Sequence, residues 1–423
     1  MGDVIISSNN ESGLLQSLYK ITQQDPFSYY QELNYPNMSK NIIQVSPQST
    51  ITAPFSNKNV TFKLPRYGLL EAAYIRTTIT PTSVADNGRL DNTLPGTRIY
   101  NNIALRTNNQ DIFTQYPSSC LARMLDIDSK SSEMLSLLMN PKTTMATSTT
   151  AQNIYTPIFF PCFEAKHMYL DLSFVEQLEL NCQVNNLLTG AGNFGLSAEP
   201  TAFTTSLFLV FRNLEYNALE AYQASNFGNG QSNLNMLVYD NYLENYLTLS
   251  TATTATLDIK CPNVAFATHY YIVDPEGENA GGVAQANTAY DVSHTYQPTS
   301  TTLKVSGRNI YENIPVDVAI MDANRLGKHG NLFLTIPNAA ATNASDSAQL
   351  FPYKKKHISL YYGTNIDRLN QVGAISFGNT NGPQIVITGN AMTATGRLVC
   401  HHEFWKILSI SPSDGRILVS NSL

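Results

Sequence analysis

Residues 167–185 read HMYLDLSFVEQLELNCQVN and hold the most regular alternation in the chain. Met168, Leu170, Leu172 and Phe174 fall on one side, His167, Tyr169, Asp171 and Ser173 on the other. After Val175-Glu176 the alternation resumes: Leu178, Leu180, Cys182 and Val184 against Gln177, Glu179, Asn181, Gln183 and Asn185. Successive side chains of a strand point to opposite faces, so a period of two predicts strands with one buried and one polar face. The short connection predicts that the two strands form an antiparallel hairpin. Such strands belong to sandwiches of antiparallel sheets.

Toward the N-terminus the same period recurs from Ile43. Val60, Phe62 and Leu64 alternate with polar neighbours, and residues 69–80 form a longer strand with Ile75, Thr77 and Ile79 on one face. Strands are expected at 98–106, 111–116 and 154–160, interrupted by a helical patch at 119–139 that Asn140-Pro141 stops. Toward the C-terminus, residues 201–250 read as a long strand from Ser206 to Tyr216, a helical turn at 217–224, and a second long strand from Leu234 to Leu249. Strands follow near 255–259, 266–273, 303–305, 332–336, 358–362, 374–377, 384–388, 397–411 and 417–419. A helix is predicted at 315–326, with Pro315 at its start and Gly327 just past its end. A polar loop at 274–300 is long enough to be functional or mobile. Each half thus carries many short strands and one helix at similar depth, a repetition of architecture without obvious sequence identity. The division expected is an arm at 1–41, a first unit at 42–216, a connector at 217–233 and a second unit at 234–423.

Composition limits the function. Of 423 residues only 14% are charged, against roughly 25% in typical globular proteins. Polarity comes from Asn, Thr, Ser and Gln, beside 23 Tyr and 18 Phe. Surface covered by other subunits has this character, because interface cores are poor in charge and rich in aromatics. An ordinary β-rich protein with uncharged loops fits as well. The formal net charge of -6 argues against a broad nucleic-acid face, which needs clustered Lys and Arg. The one dense basic run, Lys354-Lys355-Lys356-His357, reads as a solvated strand end. Five widely spaced cysteines (Cys120, Cys162, Cys182, Cys261 and Cys400) read as buried, reduced residues. With no basic, apolar leader at residues 1–7, synthesis in a reducing cytoplasm is expected.

The arm holds one amphipathic stretch. Ser12 can cap a short helix carrying Leu14, Leu15, Leu18 and Ile21, which Asp25-Pro26 ends. Those four residues are the candidate contact with a neighbouring subunit or a membrane surface; packing back on the chain's own body is the plain alternative.

No pattern points to an enzyme. Gly190-Ala191-Gly192-Asn193-Phe194-Gly195 fits GxGxxG, but a strand rather than a helix follows, so no dinucleotide site is expected. His401-His402-Glu403 resembles a metal cluster, yet adjacent residues of a strand face opposite ways, so no metal site is expected there. His269, His294 and His329 have no partner at useful spacing. Asp126 and Asp128 begin like a calcium loop, but the Gly and distal Glu do not follow. No catalytic residue and no cofactor are assigned.

Two successive β units, a helix in each, an N-terminal arm and no active site resemble the double jelly-roll major capsid proteins of tailless icosahedral viruses. The resemblance covers about residues 42–423. It rests on this architecture and on local stretches: Phe62-Lys63-Leu64-Pro65-Arg66 leading into Leu70-Glu71-Ala72-Ala73-Tyr74-Ile75, the segment from Met168 to Val184, and His402-Glu403-Phe404-Trp405. It implies an all-β fold of two consecutive eight-stranded antiparallel jelly rolls, each with a helical insertion, plus an N-terminal helical arm. It further implies a pseudo-hexagonal homotrimer located in the virion capsid. Neighbouring capsid trimers, penton and minor capsid proteins and an internal membrane are the implied partners, without sequence-specific nucleic-acid binding. Loops 274–300 and 337–349 would form outer towers. The alternative reading is a non-enzymatic β-sandwich binding protein or adhesin recognising surface glycans.

Overall fold

A computed structural model describes residues 39–66, 68–83, 95–107, 110–126, 151–159, 170–175, 177–188, 194–213, 234–249, 252–273, 298–325, 334–336, 349–351, 358–363, 373–389, 397–411 and 416–420. The stretch carrying Leu14, Leu15, Leu18 and Ile21, the connector 217–233 and nearly all of both proposed tower loops lie outside these residues.

The first set of elements is β1 (Ser39–Val45), β2 (Asn59–Lys63), β3 (Leu69–Thr80), α1 (Pro95–Arg98), β4 (Tyr100–Thr107), β5 (Gln110–Gln115), α2 (Pro117–Asp126), β6 (Gln152–Ile158), β7 (Leu170–Asp171), β8 (Leu178–Val184) and β9 (Ala202–Asn213). They build two antiparallel sheets, ordered β1-β9-β3-β6 and β2-β8-β4-β5. The second set is β10 (Leu234–Leu243), β11 (Leu247–Thr248), β12 (Thr254–Asp258), β13 (Val264–Val273), β14 (Pro298–Val305), β15 (Arg308–Pro315), α3 (Val316–Arg325), β16 (Leu334–Ile336), β17 (Gln349–Phe351), β18 (Ile358–Tyr361), β19 (Ile375–Ser376), β20 (Gln384–Gly389), β21 (Arg397–Ser411) and β22 (Arg416–Ser420). Its sheets run β10-β21-β13-β18 and β12-β20-β14-β15. The two pairs of orders are the same connectivity twice. In each set the last long strand lies between the first and third, and the second strand pairs with the last but one of the opposite sheet. This is the jelly-roll winding that the resemblance implied.

Alternation decides what each roll buries. Leu178, Leu180, Cys182 and Val184 of β8 are buried, and the residues between them are partly exposed. Val60 and Phe62 of β2 meet Cys182 and Leu180 in register. The facing sheet supplies Ile75, Ile79, Leu207, Leu209 and Phe211, all fully buried. The second roll repeats this with Leu257, Leu303, Ile385, Ile387, Leu398 and Cys400. At roughly 1.5–3 kcal/mol per buried Leu, Ile or Phe side chain, these faces are the main favourable term holding each sandwich. Gly373, at φ +114, lies against the backbone of Tyr362 and Gly363 in the second roll; a Cβ there would stand 2.7 Å from the Tyr362 carbonyl oxygen, so only glycine fits.

Three expectations are corrected. Residues 170–184 do not form a hairpin. β7 adds to β3 in one sheet, whereas β8 lies between β2 and β4 in the other. A 3-10 turn at Leu172–Phe174 and a left-handed Gln177 (φ 53) carry the chain across the sandwich. Alternation reports which face is buried, not which strand is the partner. Residues 98–106 open as helix α1 and become a strand only at Tyr100. The strand from Leu234 stops at Leu243, where the Glu244 backbone N–H donates to the Cys400 carbonyl.

Candidate functional site: the joint between the two rolls

The two rolls meet along the edge strands β5 and β10. The Thr114 N–H donates to Asp240 Oδ1 at 2.8 Å, and Asn241 Nδ2 donates to the Thr114 carbonyl at 2.9 Å. Asp240 Oδ1 also accepts the Asn241 N–H, and its other oxygen pairs with Lys406 Nζ. Burial pushes the Asp240 carboxyl above its ordinary range, against the pull of Lys406 and the two backbone donors. Apolar packing surrounds this polar seam. The Tyr239 ring stands edge-on to Phe113 of the first roll and to Phe266 of its own, and Phe266 lies against Trp405. One hydrophobic cluster therefore runs from the core of the first roll through Tyr239 and Phe266.

Helix α2 follows β5 directly and covers the outer face of the sheet containing β13 and β21. Its Arg123 is buried. The guanidinium lies 3.9 Å from the centre of the Tyr239 ring, and Nη2 is 3.0 Å from Glu403 Oε1. The same oxygen is 3.3 Å from His269 Nε2. His269 Nδ1 meets the Ser359 hydroxyl at 2.7 Å, and the His269 and His401 rings stack 4.6 Å apart at 15°. Burial alone would raise the Glu403 carboxyl; Arg123, then His269 and His401, outweigh it and hold it at about 2.

Strand geometry explains the grouping. His401 and Glu403 are two residues apart and share a face; His402 points the other way, into the second roll. There His402 Nδ1 meets Thr268 Oγ1 at 2.7 Å, and Nε2 lies 3.3 Å from Glu244 Oε1. Burial lowers the His402 imidazole below its ordinary value, with Glu244 opposing. Glu244 in turn accepts the backbone N–H groups of Lys260 and Cys261. The reading of opposite faces for His401 and His402 holds. His269, for which spacing along the chain offers no partner, sits directly across from His401 in the β13–β21 register.

His269, His401 and Glu403 have ligand atoms within 4.8 Å of one another. The set fits a metal poorly. The Arg123 guanidinium already supplies the positive charge facing Glu403. Two nearly parallel rings cannot both aim in-plane lone pairs at one ion. Cys120, Cys182, Cys261 and Cys400 are buried and free. Burial pushes the Cys261 thiol up to about 12 and the other three higher still, which keeps them unreactive at neutral pH. Among the described residues no helix is long and apolar enough to cross a membrane.

No protein-family model matches the sequence, and no curated protein matches it. Solved structures do match. The capsid protein in the quasi-atomic model of the PBCV-1 virus capsid superposes with a TM-score of 0.65 at 11% identity, over 93% of this chain and 98% of that one. The Faustovirus major capsid protein gives 0.59 at 10% identity, over 96% and 100%. The structure of the Sputnik virophage gives 0.57 at 12% identity, over 93% and 92%. At such identities the likeness shows the fold, and it extends over nearly the whole of each chain. The chain has the double jelly-roll fold of viral major capsid proteins.

Proposed function

We propose that this protein is a structural major capsid protein, assembling as pseudo-hexagonal homotrimers into an icosahedral virus shell. The observation that carries the reading is the joint. Two rolls of the same winding are fixed to each other by a buried seam, Thr114 with Asp240 and Arg123 with Glu403. A fixed angle between upright rolls is what a tile needs and what a flexible binding module does not. The fold shared with capsid proteins over almost all of both chains supports the same reading, as does the low charge of the sequence. Neighbouring trimers, penton and minor capsid proteins are its partners on this reading, and the virion capsid its location. The Leu14, Leu15, Leu18 and Ile21 stripe contacts a neighbour or an internal membrane, and 217–233 connects the rolls. The role is non-enzymatic. Electron microscopy of the purified protein tests this: hexagonal-looking trimers are expected, and isolated two-lobed monomers at all concentrations would overturn it.

A further inference from the structure

Lys406 is the only buried lysine among the described residues, at 2% exposure, and its amine meets the buried Asp240. β10 and β21 run antiparallel, with Val238 opposite Lys406 and Asp240 opposite Phe404. Asp240 and Lys406 therefore share one face as a diagonal pair, a span that a long side chain covers. Nζ stands 2.5 Å from Oδ2. Arg123, the other buried cation of the joint, has no such chemistry. A guanidinium keeps its charge, whereas an amine that gives up a proton is a nucleophile. We infer that Lys406 and Asp240 condense into an isopeptide bond, an amide between Nζ and the Asp240 side-chain carbon that staples β10 to β21.

The surroundings of the carboxyl fit acyl transfer. Oδ1 accepts the backbone N–H groups of Thr114 and Asn241, both at 2.8 Å. Two fixed N–H donors on one oxygen polarise the acyl carbon and stabilise the oxyanion that forms when a nucleophile adds to it. Thr114 belongs to the first roll, so this pair of donors is complete only when the rolls are joined. The opposite oxygen, Oδ2, faces the amine and can take its proton. Burial, which pushes the Asp240 carboxyl above its ordinary range, favours that transfer. Both side chains are buried, so little water is present to reverse the reaction. The amide also replaces two charges held out of water with a neutral group.

The step balances without a co-reactant. An ammonium proton passes from Nζ to Oδ2, leaving a neutral amine beside a carboxylic acid. The nitrogen lone pair adds to Cγ, the C–N bond forms, and the carbonyl π electrons move to Oδ1, where the Thr114 and Asn241 N–H groups hold the charge. The nitrogen then gives a second proton to the Oδ2 hydroxyl, the Cγ–Oδ2 bond breaks, and water leaves as the Oδ1 carbonyl reforms. The ammonium–carboxylate pair and the amide with its water contain the same atoms and the same net charge. Oδ1 remains a carbonyl oxygen, so the bonds from Thr114 and Asn241 survive the reaction and the staple stays tied to the first roll.

Intact-mass spectrometry of the full chain, denatured after purification in the folded state, tests the bond. A mass lower than that of the sequence by one water, about 18 Da, is expected. Trypsin should leave Lys406 uncut and release a branched peptide that joins the segments holding Asp240 and Lys406. The bond closes a loop across 166 positions, so the denatured wild-type chain should run ahead of the variants on a reducing, denaturing gel. Lys406→Arg keeps the positive charge and removes the nucleophile; it is expected to fold and to show the full mass of its sequence. Asp240→Ala is expected at full mass as well. A wild-type chain that keeps its full mass after prolonged incubation in the folded state would overturn the inference. So would a water loss that persists in Lys406→Arg, because it would mark cyclisation of Asp240 on the Asn241 backbone nitrogen instead.

Discussion

Arg123 Nη2 lies 3.0 Å from Glu403 Oε1, with both side chains buried, one on each roll. Removing one partner leaves the other as an uncompensated buried charge, which costs about 3–5 kcal/mol. Arg123→Met is therefore expected to lower the melting temperature by roughly 10 °C. Arg123→Met combined with Glu403→Gln should cost less than the two single changes added, by about 0.5–3 kcal/mol. Thermal melts of the four proteins measure the coupling; strict additivity would mean that the pair holds nothing together.

Acid should act on the fold in two stages. Folded His402 resists the proton that its unfolded form accepts below about pH 6.5, so stability present above that pH is lost as pH falls from there. The loss is at most about 1.4 kcal/mol per pH unit for one group. Glu403 behaves oppositely. Its carboxyl is held at about 2, so its contribution is full above the unfolded value near 4.3 and disappears only as pH falls toward 2. Denaturant unfolding between pH 8 and 2 reads both stages. His402→Asn should flatten the first and leave the second, and a variant curve that falls from pH 7 to 5 as steeply as the wild type would contradict the assignment.

Chelation should change nothing in the wild-type protein. His269, His401 and Glu403 gather closely, but the Arg123 guanidinium takes the charge that a dication would bring. EDTA is expected to leave the melting temperature where it was. A fall on chelation, with a stoichiometric transition metal in the purified protein, would mean that the ion displaces Arg123.

Most of the strands were legible because burial on one face forces a period of two, as Leu178 to Val184 displays. Their partners were not. β7 and β8 share one pattern and sit in opposite sheets, and no local rule distinguishes that from a hairpin. The joint was also hidden, for a different reason. The sheet holding β21 is covered on both faces, so Cys400, His401, His402 and Glu403 show no alternation. One signal was available: His401 and Glu403 sit two apart in a strand with no solvent face, which requires buried partners for both. His269 and Arg123 are those partners, and they are 132 and 280 residues from His401 and Glu403. Spacing along the chain could not reveal either.

Asp240 tests whether the joint makes the two rolls one cooperative unit. Its carboxylate ties Thr114 of the first roll to Lys406 of the second. Asp240→Ala removes the acceptor for the Thr114 N–H and leaves Lys406 buried without its anion, at a cost of about 3–5 kcal/mol. The cost falls on the contact between rolls, since the Asp240 carboxylate and its neighbour Asn241 are what bond to the Thr114 backbone across the joint. Calorimetry should therefore split: one transition for the wild-type chain and two for the variant, each roll melting on its own core. Adding Lys406→Met to Asp240→Ala should bring the transitions back together in part, because the orphaned charge is gone while the Arg123–Glu403 contact remains. If the variant melts in a single transition at a lower temperature, the seam stabilises the rolls themselves rather than their union, and the rigid angle must be held elsewhere.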